Sequence, residues 1–237
     1  MRLLPFVLCV LAAGCTVPVA APSPQPVDAV APTRPVPQPL SSRARLQNFA
    51  AVVATVEPVA EGICRQRAPD LNCDFRIVVD DRPELGSNAY QTQDRAGRPI
   101  IAFTPALIAE TRNRDELAFV MAHEAAHHIR GHLTRQQRTA TVGALVLGQL
   151  AGALGSDAAT IQTAQQVGAS VAARSYSKEY ELEADALGTR ITAAAGYDPL
   201  KGADFFFRIP DPGDRFLGTH PANADRLRTV QRVAAGL

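Results

Sequence analysis

The sequence carries no excess of charge, few cysteines and histidines, and no long apolar run at its start, and these shortages narrow what it can be. Its 24 basic and 23 acidic side chains in 237 residues leave a formal net charge of +1. That balance gives nucleic acid or an anionic membrane no overall attraction. The apolar run from Leu3 to Ala13 is well short of the ~20 residues that span a bilayer. The segment from 139 to 173 has only one charge, Asp157.

What is present begins with an export signal: Arg2, the short apolar run, then Leu11-Ala12-Ala13-Gly14-Cys15. Small residues before a cysteine resemble a bacterial lipobox, with Ala12 where leucine is commoner. Residues 1–14 are then a lipoprotein leader and Cys15 the acylated first residue of the mature chain. Thr16, in place of an aspartate, favours the periplasmic face of the outer membrane of a diderm bacterium. The alternative is cleavage to a soluble secreted protein. Between Pro18 and Pro39 eight of 22 residues are proline, a composition that favours extended polyproline II. Residues 15–39 therefore read as a tether and 40–237 as the folded domain. With Cys9 lost and Cys15 acylated, Cys64 and Cys73 remain. An oxidising compartment favours a disulfide between them over free buried thiols.

The domain pattern is α+β and mostly helical. Ser41 and Ser42 open a first helix to about Cys64, which Pro58 bends or splits. Phe75 to Asp80, Asn88 to Thr92 and Pro99 to Phe103 read as three short strands, and Thr104-Pro105 starts a short helix. The nearly uncharged segment 139–173 suits a closely packed helical pair broken near Gly155-Ser156-Asp157, a membrane-embedded hairpin or a lid. Its glutamines favour the packed pair. Helices follow from Ser177 to Thr192, from Asp198-Pro199, and from Thr219-His220-Pro221 onward.

The most informative stretch is His123-Glu124-Ala125-Ala126-His127. With five histidines and nine glutamates, chance yields this pattern about 0.004 times in such a chain, so accident explains it poorly. On a helix, His127 returns to the face of His123 one turn on, and both imidazoles can grip one metal ion. Glu124 points beside the pair, where it can hold a water as general base. Asn113 with Glu116 reads as a capping box for that helix, and Gly131 ends it. His128 and His132 fall off the metal face and read as packing or hydrogen-bonding residues.

A third protein ligand is needed, and Glu179, Glu181, Glu183 and Asp185 offer four carboxylates. Glu181 and Asp185 share a face with Gly188, which would allow a close approach to the histidine helix. Glu181 is thus assigned as ligand and Asp185 as the acceptor of a ligand histidine's remaining N–H.

The His-Glu-x-x-His motif, with Glu181-x-x-Ala184-Asp185 about 50 residues later, resembles the zinc metallopeptidase family that includes the CAAX prenyl endopeptidase, the heat-shock protease HtpX and the Oma-type and periplasmic lipoprotein peptidases. Asn88-Ala89-Tyr90 is similar to that family's substrate edge strand, and His220-Pro221 with Arg226 to its H-P-x-x-x-x-R segment. The resemblance implies a zincin-like fold, one Zn2+ on His123, His127 and Glu181, and a catalytic Glu124. It also places His220 at the cleft, as oxyanion donor or as occupant of zinc's fourth position, with Arg226 nearby in support. The implied activity is endopeptidase cleavage of unfolded or misassembled envelope proteins, outer-membrane proteins among them, in contact with envelope assembly machinery. A chaperone-like assembly factor with a latent zinc site is the rival. The chain departs from the family at Gln91-Thr92-Gln93-Asp94-Arg95, where Pro-Gly-Gly is frequent.

Overall fold

The computed structural model describes residues 41–175, 177–211 and 221–237. Cys15, the proline-rich segment and His220 lie outside them. The first helix, α1 (Ser42–Arg67), is capped by Ser41, whose hydroxyl accepts from the Ala44 amide. Its buried residues, Val52, Val56, Ala60 and Cys64, recur every fourth position, the spacing that stacks side chains along one face. The helix runs unbroken through Pro58. Pro58 and Ala54 both face solvent, so water can satisfy the Ala54 carbonyl that the proline leaves without a donor. Cys64 is bonded to Cys73, tying the end of α1 to the chain entering the sheet.

Three strands, β1 (Arg76–Val79), β2 (Ala89–Gln93) and β3 (Pro99–Phe103), form one sheet in the order β1-β3-β2. β1 runs parallel to β3 and β2 antiparallel to it, so β2 is an edge strand. Thr104 and Asn88 form a hydrogen-bonded pair at its start: Thr104 N–H donates to Asn88 O at 2.9 Å and Asn88 N–H to Thr104 Oγ1 at 2.9 Å. Antiparallel pairs alternate. Tyr90 and Thr92 therefore also bond inward to β3, while the backbone groups of Ala89, Gln91 and Gln93 point to the outer edge.

Thr104 also caps α2 (Pro105–Glu110). The next helix, α3 (Arg114–Ile129), is the centre of the molecule. Leu117 to Ala122, Ala125 and Ala126 are all buried, because α1, the sheet and later helices wrap it. The burial goes most of the way round the helix and is not confined to one stripe. Asn113 caps it, accepting from Glu116 N–H at 2.9 Å. The Glu116 carboxylate does not return to Asn113. It accepts from Arg112 N–H and from Arg208 at 2.8 Å each, fully buried, and so braces the helix start against a distant segment. His128 bonds the Asn72 carbonyl at 2.8 Å and meets the Phe75 ring edge-on.

Gly131, with φ of +64°, takes the left-handed conformation that ends α3 and starts α4 (His132–Ala153) in a new direction. α4 and α5 (Ala158–Ser175) form an antiparallel pair. A Cβ on Gly143 would stand 2.3 Å from the Gly168 carbonyl oxygen, so the two backbones touch there. Val142, Leu145, Val146 and Leu150 remain exposed on α4, as does Leu154 just beyond its end. Among the described residues no helix is long and apolar enough to cross a membrane.

α6 (Ser177–Ala194) packs against α3. α7 (Pro199–Ala203), a 3-10 turn (Asp204–Phe207) and α8 (Asn223–Ala234) complete the described chain. α8 opens at Asn223, two residues beyond Pro221. Its Val230 packs with Phe119 of α3 and Phe206.

Candidate metal centre and cleft

A cleft of about 930 Å3 lies between β2 and the α3–α6 pair, lined by Ser87 to Gln91 on one side and by His123, Glu124, His127 and Glu181 on the other. α3 delivers His123 and His127 to its floor one turn apart. α6 delivers Glu181 because Gly188 lets the helices meet: a Cβ there would lie 3.1 Å from the His123 Cα.

One nitrogen of each imidazole and the Glu181 carboxylate converge, the three donor atoms all within 4.8 Å of one another. His123 Nε2 lies 3.0 Å from His127 Nε2 and 3.4 Å from Glu181 Oε2, and His127 Nε2 lies 3.3 Å from Glu181 Oε1. A tetrahedral ion with bonds of about 2.0–2.1 Å separates neighbouring ligand atoms by about 3.3–3.4 Å, and two imidazoles with one carboxylate are a catalytic zinc donor set. The residues therefore fit a metal ion. Glu124 is half-buried at the cleft wall.

Behind His123, its Nδ1 sits 3.0 Å from Asp185 Oδ1. Asp185 is fully buried and accepts two hydrogen bonds from Arg226 on α8, Nε to Oδ2 at 2.8 Å and Nη2 to Oδ1 at 2.7 Å. The Arg226 guanidinium rests on the Phe206 ring, 4.0 Å from its centroid. Burial works against a charged His123, but hydrogen bonds to Asp185 and Glu181 outweigh it and raise its pKa to about 10. Burial likewise pushes the Asp185 carboxyl up, and Arg226 with His123 brings it below the ordinary value. In the metal-free protein the pocket thus holds a proton where its carboxylates call for a cation.

On the other flank His132 is a hydrogen-bonding residue, one of the two roles read for it, with partners the sequence did not indicate. His132, expected to be off the metal face, places its Nδ1 2.8 Å from His127 Nδ1 and its Nε2 3.2 Å from Glu183 Oε2. Arg135 grips the same carboxylate at 2.7 and 3.3 Å, and the Tyr180 ring stacks on His132. Burial and the neighbouring His127 lower the His132 pKa to about 4. Helical spacing could not reveal this pairing, because the left-handed Gly131 resets the register between His127 and His132.

Asn88, Ala89 and Tyr90 all line the cleft, but their roles separate: Asn88 and Tyr90 bond inward, and Ala89 presents its backbone outward. Tyr90 O–H donates to Asp80, which also pairs with Arg82, and this fixes the cleft rim.

The model of peptidase family M48 matches residues 47–234. The chain belongs to peptidase family M48. Members of that family are metalloproteases. It is 33% identical over 142 residues to the beta-barrel assembly-enhancing protease of Escherichia coli K12, an alignment covering 54% of this chain and 29% of that one. The enzyme of that name from Yersinia pestis is 32% identical over 148 residues, with the same coverage. The match thus spans under a third of the length of these relatives.

Proposed function

We propose that this M48 chain is a zinc endopeptidase that cuts unfolded or misassembled envelope proteins. The observation that carries the proposal is the convergence of His123, His127 and Glu181 beside Glu124, in a cleft walled by the outer edge of β2. His123, His127 and Glu181 would hold the zinc, which when bound supplies the Lewis acidity that acidifies water and polarises a peptide carbonyl. Glu124 takes the proton from the attacking water and gives it to the leaving amine. Asp185 accepts the Nδ1 proton of His123 and so keeps Nε2 as a lone pair facing the pocket. Arg226 compensates the buried Asp185 charge. The substrate adds as a strand to β2, bonding to the backbone of Ala89 and Gln91, a mode that reads main chain and favours extended, unfolded segments. His220 would donate to the developing oxyanion.

The name of the Escherichia coli relative supports a client among β-barrel proteins under assembly. The Cys15 anchor and the tether would hold the domain at the outer membrane. The Glu124→Gln variant provides the test. It should fold and bind zinc as the parent does while losing about 10²–10⁴-fold in turnover of casein or an unfolded outer-membrane protein. Equal cleavage by both forms contradicts the mechanism; zinc binding with no cleavage by the parent would point to the assembly-factor alternative.

A further inference from the structure

We propose that His132 and Glu183 are positioning residues that fix the tautomer of His127, so that the nitrogen facing the pocket keeps its lone pair for the metal. Two ring nitrogens 2.8 Å apart, His132 Nδ1 and His127 Nδ1, require one to carry the proton and the other to accept it. Glu183 decides which. Its carboxylate can only accept, so the His132 Nε2 that faces it at 3.2 Å carries a proton. Arg135 already compensates the Glu183 charge through bonds of 2.7 and 3.3 Å. His132, only 4% exposed, is therefore neutral, with its single proton on Nε2 and a lone pair on Nδ1. His127 must then donate from Nδ1, which leaves the lone pair of its Nε2 pointing at His123 Nε2 and Glu181. The Tyr180 ring, 4.7 Å from the His132 ring and 11° from parallel with it, holds that imidazole in plane.

The two ligand histidines are thus oriented by different devices. His123 meets a carboxylate directly, 3.0 Å away at Asp185. His127 meets one through an intervening imidazole. The second arrangement keeps the negative charge of Glu183 one ring further from the pocket, and it ties the start of α4 to the metal-binding face of α3 across the break at Gly131.

This inference rests on the metal reading above, and its test separates the two. Zinc affinity of the metal-free protein is measured by competition with a chromophoric chelator, in the parent, His132→Asn and His132→Gln. Asparagine places its side-chain oxygen where Nδ1 was and can still accept from His127. Glutamine reaches the Nε2 position and leaves the Nδ1 position empty. The expected result is affinity within about threefold of the parent for the Asn variant and about 10–100-fold weaker binding for the Gln variant, with a changed visible spectrum when cobalt replaces zinc. A merely structural role would not rank two polar variants of similar size in that order. Equal affinities, or weaker binding by Asn than by Gln, overturn the assignment. If either variant fails to fold, Glu183→Gln and Glu183→Ala replace the pair: Gln still offers His132 an acceptor and should bind near the parent level, Ala should not, and equal binding by these two overturns it. A parent that binds no zinc would instead refute the metal site itself.

Discussion

Proton and metal compete for His123 Nε2, while Asp185 holds the ring from Nδ1. The raised pKa of His123 in the metal-free protein gives stability a definite slope with pH. The folded state holds its proton up to about pH 10 and the unfolded imidazole releases it near 6.5. The folded state therefore binds more protons between those values, and stability must fall as pH rises through that window. Thermal unfolding of the metal-free protein at pH 6, 7.5 and 9 should show that decline, and Asp185→Asn should flatten it. Zinc should flatten it too, since the metal takes the proton's place. A slope of the opposite sign would mean that Asp185 does not hold His123 in this way. At this scale the sequence was informative. The meeting of His123, His127, Glu181 and Asp185 was legible because helical spacing puts them on defined faces and Gly188 allows the two helices to approach. A hydrogen-bonding role for His132 was legible; its partners His127 and Glu183 were not, because their meeting depends on a turn whose geometry no periodicity carries.

The edge strand makes a sharper demand at the scale of elements. In β2 the outward amides belong to Ala89, Gln91 and Gln93, whereas Tyr90 bonds to β3. Gln91→Pro removes an outward donor and leaves the ladder with β3 intact, a position where proline is tolerated. It should raise KM and lower kcat/KM by about 2–10-fold, the worth of one hydrogen bond, with little change in unfolding temperature. Tyr90→Pro, on the inward register, should destabilise the fold. If Gln91→Pro leaves KM unchanged, substrate does not add to this edge. The contact of α6 with α3 makes a second demand. At Gly188 a side chain would meet the His123 backbone, so Gly188→Val should push the helices apart, cost about 1–3 kcal/mol of stability and weaken zinc binding as Glu181 withdraws. Denaturant unfolding and chelator competition on one preparation check both. The sequence showed why a glycine belongs there. It did not decide whether Pro58 bends α1 or splits it; the helix is continuous there, because Pro58 and Ala54 lie on the face that water reaches.

Over the whole molecule, α3 is the piece around which everything is assembled. α1 and the sheet cover one side, α6 and α7 the other with α8 packed on α6, and the disulfide between Cys64 and Cys73 secures α1 to the sheet. Closing so short a loop should contribute about 2–3 kcal/mol. The Cys64→Ser, Cys73→Ser double variant should lose that much in denaturant titration and keep its zinc affinity, since neither cysteine reaches the cleft. The helical class and the small sheet followed from periodicity and turn residues. The near-total burial of α3 did not, because its surroundings come from segments far apart in sequence. The uncharged composition of 139–173 suited a packed pair, a membrane hairpin or a lid, and the glutamines favoured the pair that α4 and α5 form; its exposed apolar residues have no cover among the described residues.

The central claim is that two side chains of α3 and one of α6 hold a single zinc ion, and anomalous diffraction at the zinc edge on zinc-soaked crystals tests it most directly. The account predicts one strong peak per chain, about 2.0–2.2 Å from His123 Nε2, His127 Nε2 and a Glu181 oxygen. A peak elsewhere, or one at the histidines with Glu181 turned away, would contradict it.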